Sequence, residues 1–123
     1  MTRRDVEHTP DGRWIVVDGR RWRRQDPALP ADVATRLGSH LGRARAAVRT
    51  VRREGTEEEL RAARARVGLA KLGLGERGTP WWEQSPAERE SRWTGALAQL
   101  DEQAPPAPDD AARGAGHSRH AGD

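Results

Sequence analysis

Apolar residues follow two different periods along this chain, and the change of period divides it into elements. Between Arg13 and Arg24, the run Trp14-Ile15-Val16-Val17 and the isolated Trp22 flank Asp18-Gly19. Asp-Gly is a favoured two-residue hairpin loop, because a type I′ turn needs positive φ at both central positions. The predicted element is a β-hairpin over 13–24, with Val17 opposite Arg20, Ile15 opposite Trp22, and Arg13 opposite Arg24. Successive strand residues point to opposite faces. One face therefore carries Ile15, Val17 and Trp22; the other carries Trp14, Val16, Arg21 and Arg23. A two-stranded ribbon alone is marginal in water, so one face is expected to pack on helices. The contiguous apolar set favours the Ile15/Val17/Trp22 face and leaves Trp14, Arg21 and Arg23 towards solvent.

After an extended Asp26-Pro27-Ala28-Leu29-Pro30 linker the period becomes helical. Val33, Leu37, Leu41, Ala44, Val48 and Val51 follow one another at spacings of three or four, which predicts a helix over 31–54. Pro30 suits a helix start. Gly38 and Gly42 weaken this helix by about 1 kcal/mol each relative to Ala. They fit either a bend or a close neighbour. Gly55 suits a left-handed helix end, and Thr56 with Glu59 forms a capping box. A second stripe of Leu60, Ala63, Val67, Ala70 and Leu74 predicts a helix over 57–74. Two stripes joined by so short a turn make an antiparallel αα-hairpin. Leu69 and Leu72 lie off the stripe and call for a second cover. Ser85-Pro86-Ala87-Glu88 opens a third helix, over 86–100, with Trp93, Ala96, Leu97 and Leu100 on one face. The fold expected is mainly α with a small β element: an N-terminal β-hairpin packed on an antiparallel αα-hairpin, plus a third C-terminal helix.

Composition sets the limits of that domain. Residues 11–101 are expected to form one compact unit, with 1–10 a flexible N-terminus. Residues 102–123 are mostly Pro, Ala, Gly, Asp, Arg and His without an apolar period, and such a tail is expected to be disordered. The charge is uneven: residues 1–55 hold 13 Arg against 7 Asp or Glu. A positive N-terminal half favours polyanions, although solvated helix faces give the same pattern. A single Lys stands beside 21 Arg, so genome composition explains part of the excess. With no Cys there is no disulfide framework, thiolate metal site or Cys nucleophile. No apolar run suggests a signal peptide or a membrane span. The expected compartment is the cytoplasm, without membrane insertion.

Two segments carry a resemblance. Asp18-Gly19-Arg20-Arg21-Trp22-Arg23 followed by Asp26-Pro27, and Gly75-Glu76-Arg77-Gly78 with Pro80-Trp81-Trp82-Glu83, resemble a family of short uncharacterised bacterial proteins, common in actinobacteria. The resemblance spans roughly residues 6–101. Some members are labelled "biopolymer transporter Tol", but a Tol-type energy-coupling protein needs a membrane anchor, and no such stretch is present. The resemblance implies a compact domain and carries over no catalytic residue.

The candidate chemistry lies in the same segments. Arg21 and Arg23 could neutralise phosphates while a neighbouring Trp stacks on a base; equally, they could cover a packed Trp22. Trp81 and Trp82 could line a partner groove. Adjacent residues in an extended segment point opposite ways, so one is expected to be buried and the other partly exposed. His8, His40, His117 and His120 lack the spacing and companions of a metal site. No carboxylate pair, triad or phosphate-binding glycine loop stands out. The sequence therefore favours a non-enzymatic protein-interaction or accessory module without a cofactor. Its candidate contact residues are Trp14, Arg21, Arg23, Trp81 and Trp82. The alternative is weak, sequence-independent nucleic-acid association through the Arg-rich hairpin and first helix.

Overall fold

A computed structural model describes residues 7–104. Residues 1–6 and 105–123 lie outside the described part, and so do the expectations placed on them; Glu102 and Gln103, expected to open the disordered tail, instead end the last helix. Three antiparallel strands come first: β1 (Glu7–His8), β2 (Trp14–Val17) and β3 (Arg20–Arg23), in the order β1-β2-β3. The β2–β3 register is the one the Asp-Gly turn implies, with Val17 opposite Arg20 and Ile15 opposite Trp22. Asp18 and Gly19 both take positive φ, 53° and 80°. Arg24 N–H donates to the Arg13 carbonyl at 2.8 Å, which closes the open end of the hairpin.

The third strand corrects the expectation of a wholly flexible N-terminus. Glu7 and His8 pair with Val16 and Ile15. Both are exposed, so the backbone ladder holds them, and a ladder leaves no apolar pattern to read. Thr9 and Asp11 close the tight connection: Thr9 N–H donates to the Trp14 carbonyl at 3.0 Å, and Arg13 N–H to Asp11 Oδ1 at 3.1 Å.

The helices are α1 (Ala31–Glu54), α2 (Glu57–Leu74) and α3 (Pro86–Gln103). α3 runs slightly past the expected end. Both capping boxes form: Thr56 with Glu59, and Ser85 with Glu88. Gly55 departs from its expected role, being extended at φ −108°. What it supplies is room. A Cβ there would lie 2.7 Å from Val51 Cγ1 and 2.6 Å from Glu59 Oε1, so the tight turn between the last turn of α1 and the capping box of α2 favours glycine. The left-handed helix end belongs to Gly75, at φ 89° after α2.

α1 and α2 form the antiparallel hairpin, and α3 packs mainly on α2. The core gathers Leu37 and Leu41 from α1, Ala70 and Leu74 from α2, and Trp93, Ala96, Leu97 and Leu100 from α3. All three helices meet at Gly73, where a Cβ would sit 2.9 Å from Ala96 Cβ and 3.0 Å from Leu37 Cδ2. Gly38 and Gly42, by contrast, have nothing within 4 Å of a built Cβ; they admit no close neighbour. Gly42→Ala should therefore raise stability by about 0.5–1 kcal/mol, the usual gain of Ala over Gly in a helix. Gly73→Ala should lower stability despite the same propensity gain, because the core has no room. Urea unfolding of the two variants checks the difference in sign.

The core stops short of the hairpin tip. Ala44 on α1 and Ala63 on α2 are the last buried residues, and residues 45–62 contain none. Arg43 Nη1 donates to the Ala104 carbonyl just past α3 at 3.3 Å. The end of α3 thus lies beside the point where burial on α1 ends.

Candidate interaction site

Asp26 follows the hairpin and is fully buried, although it sits in a polar linker. Its backbone N–H donates to the Leu74 carbonyl at 2.9 Å. Its carboxylate receives Arg89 in a two-pronged contact: Nε donates to Oδ2 at 3.1 Å and Nη2 to Oδ1 at 2.7 Å. Arg92 Nη2 donates to Oδ2 at 2.8 Å, and the Ala28 N–H to Oδ1 at 2.8 Å. Arg92 also bonds Gln84 Oε1 at 2.6 Å and the Gly73 carbonyl at 3.3 Å. Burial raises the carboxyl pKa, but the Arg89, Ala28 and Arg92 hydrogen bonds outweigh it and hold Asp26 below its ordinary value. Gly75 makes the approach possible, since a Cβ there would lie 2.9 Å from Asp26 Cβ.

The tryptophans of the second motif build on this anchor. Pro80 leads into a 3-10 turn, Trp81–Glu83, where extended backbone was expected. Trp81 is buried, and its indole N–H donates to the Arg24 carbonyl at 2.8 Å. Arg89 lies over its ring at 5.2 Å. Trp82 is half-buried and meets Trp81 edge-on at 5.1 Å and Trp14 at 5.6 Å. Arg13 and Arg23 lie over the Trp82 ring at 4.9 and 5.8 Å. Arg23 Nη1 also donates to the Gly78 carbonyl at 2.9 Å. Cation–π and edge-on aromatic contacts of this kind contribute roughly 0.5–2 kcal/mol each. The loop also covers Leu72, which lies 2.7 Å from the Cβ position of Gly78.

These contacts reverse the expected orientation of the hairpin. The Trp14/Arg21/Arg23 face, expected in solvent, is turned to Trp82. The Ile15/Val17/Trp22 face, expected to pack, leaves Trp22 44% exposed. The reason is the position of Trp82. It offers a large ring to Trp14, and Arg13 and Arg23 gain a π surface there, Arg13 remaining exposed while Arg23 buries its Nε without a hydrogen-bond partner. Arg21 itself is exposed and stacks over Trp14 at 4.5 Å. Of the five candidate contact residues, Trp14, Arg23, Trp81 and Trp82 thus meet in one joint between sheet and helices, with Arg21 at its edge.

Trp22, absent from those candidates, is the exposed large hydrophobic residue of the described chain. Arg20 lies over its ring at 4.7 Å, and half-buried Ile15 and Val17 share its face. The Asp26–Arg89–Arg92 cluster was likewise missed. One signal for it was present: Arg89 and Arg92 stand three apart on α3, on the side that leads into Trp93 and Ala96.

The histidines have ordinary surroundings. His8 is exposed on β1. His40 is buried, with Nε2 at 2.7 Å from Asp101 Oδ1 and Nδ1 at 3.0 Å from Arg43 Nη2. Arg36 pairs with the same Asp101. His117 and His120 lie outside the described residues. Among the described residues, no group of three or more His, Asp or Glu is placed to hold a metal ion. None of the described helices is long and apolar enough to cross a membrane. No family model, curated protein or solved structure matches the chain.

Proposed function

We propose that this chain is a non-enzymatic protein-interaction or accessory module of the cytoplasm, related to the short actinobacterial proteins it resembles. The observation that carries the reading is Trp22. An exposed Trp beside half-buried Ile15 and Val17 has the amphipathic character favoured at protein interfaces. The other tryptophans in the two motifs are engaged in the joint, which leaves this one for a partner. Edge strand β3, which carries Trp22, adds unpaired backbone groups alongside.

The nucleic-acid alternative keeps less support on the hairpin. Arg13, Arg21 and Arg23 lie over tryptophan rings, and Arg23 is also tied to Gly78. On α1, Arg36 pairs with Asp101, and Arg43 bonds His40 and Ala104. Affinity capture from native cells, with wild type and Trp22→Ala compared and nuclease added to both, tests the proposal. Partners that survive nuclease and are lost with Trp22→Ala are expected. Partners that vanish with nuclease, or are indifferent to Trp22, would count against it.

A further inference from the structure

Beyond Ala44 and Ala63 the αα-hairpin keeps its apolar stripe but loses its cover. Val48, Val51, Leu60 and Val67 are all half-buried. On one side of this stretch, Val48 and Val67 floor an open groove of about 430 Å³ between α1 and α2. Its rim is Arg45, Arg49, Arg64 and Arg77. None of the four has a carboxylate partner within salt-bridge distance or a hydrogen-bond acceptor among the described residues, unlike Arg36, Arg89 and Arg92. The positive charge there is felt nearby. Lys71 has its pKa lowered by burial first, then by Arg77 and Arg45, with Glu76 opposing. Glu76 is the acid that interacts with this group, and burial raises its own pKa against the pull of Lys71, Arg45 and Arg77.

We propose that this groove receives an acidic amphipathic helix from a partner protein, with apolar side chains on Val48 and Val67 and carboxylates on the four arginines. Charge complementarity selects an anionic occupant. Guanidinium groups bind carboxylates through paired, charge-assisted hydrogen bonds. The apolar floor selects a peptide over a nucleic acid, because a phosphodiester backbone has no apolar group to cover the valines. No aromatic residue lines the groove to stack a base. A helix laid in an apolar groove is a recurrent mode of recognition, with anchors three and four residues apart. The inference rests on the protein-interaction reading but uses a surface other than Trp22, so the two can fail separately.

The test is fluorescence anisotropy on the full chain with three labelled probes. The first is a designed helical peptide with Leu at positions i and i+4 flanked by Glu. The second is its scrambled version of equal charge, and the third a short DNA duplex. The amphipathic peptide is expected to bind about tenfold or more tightly than either competitor, a difference of about 1.4 kcal/mol. Arg49→Glu with Arg64→Glu should weaken that binding by about tenfold or more. Both positions are exposed, and an unchanged circular-dichroism melt verifies the fold. Trp22→Ala should leave the affinity unchanged. Equal binding of the two peptides, tighter binding of DNA, insensitivity to the double variant, or no saturable peptide binding would each overturn the proposal.

Discussion

Replacing Asp26 with Asn is expected to lower the unfolding free energy by about 3–5 kcal/mol, as when one partner is stripped from a buried ion pair. The carboxylate faces two guanidinium groups and is itself fully buried. Arg92, with a side chain only 5% exposed, has no route to water that would replace the lost charge. Asn keeps the shape but replaces one acceptor oxygen with an NH2 donor facing N–H donors, so the loss combines the charge with two hydrogen bonds. The effect carries a pH signature. The fold holds the Asp26 pKa below its ordinary value of 3.8. Its contribution is therefore full above that value and is lost as pH falls through the lower, folded value. Wild type and Asp26→Asn should accordingly converge in strong acid. Urea unfolding at neutral pH and in acid checks both parts. A loss below about 1 kcal/mol at neutral pH, ordinary for a surface change, would mean that the cluster is not the anchor described.

Trp81→Ala should be comparably severe, at about 3–5 kcal/mol, the usual range for a large aromatic removed from a packed site. It removes the edge-on contact to Trp82, the surface under Arg89 and the indole bond to the Arg24 carbonyl. Trp81→Phe retains a ring but leaves that carbonyl without its donor. It should cost less, with about 1 kcal/mol of the loss assigned to the hydrogen bond. Trp22→Ala should cost only about 1 kcal/mol, from the contact with Arg20 and the cross-strand pair with Ile15. Equilibrium unfolding of the three variants side by side gives the ranking. A Trp22→Ala loss as large as that of Trp81→Ala would show that the exposed indole holds the fold together.

The local parts of this architecture were legible in the sequence. The Asp18-Gly19 turn dictates its own register, and the two capping boxes mark helix starts through contacts only three residues apart. The stripes on α1 and α2 specify the hairpin because each helix must bury its apolar side. What could not be read was settled at long range. The choice of sheet face depends on Trp82, more than fifty residues from the hairpin in sequence. The Asp26 anchor depends on arginines 63 and 66 residues away. Asp26-Pro27 alone reads as part of an extended polar linker, and only the meeting with Gly75 and α3 buries Asp26. The contiguous apolar set of Ile15, Val17 and Trp22 points that face to the core. That rule fails when a neighbouring loop supplies aromatic rings to the mixed face.

The division of labour among the tryptophans is tested most directly by the solvent exposure of the five indole N–H groups. Nuclear magnetic resonance with a soluble paramagnetic agent reads all of them in one titration. The Trp22 N–H is expected to relax fastest, and the Trp81 N–H, which donates to Arg24 O at 2.8 Å, to be among the slowest. Protection of Trp22 to the level of Trp81, or rapid relaxation at Trp81, would contradict the assignment of one tryptophan to a partner and the other to the joint.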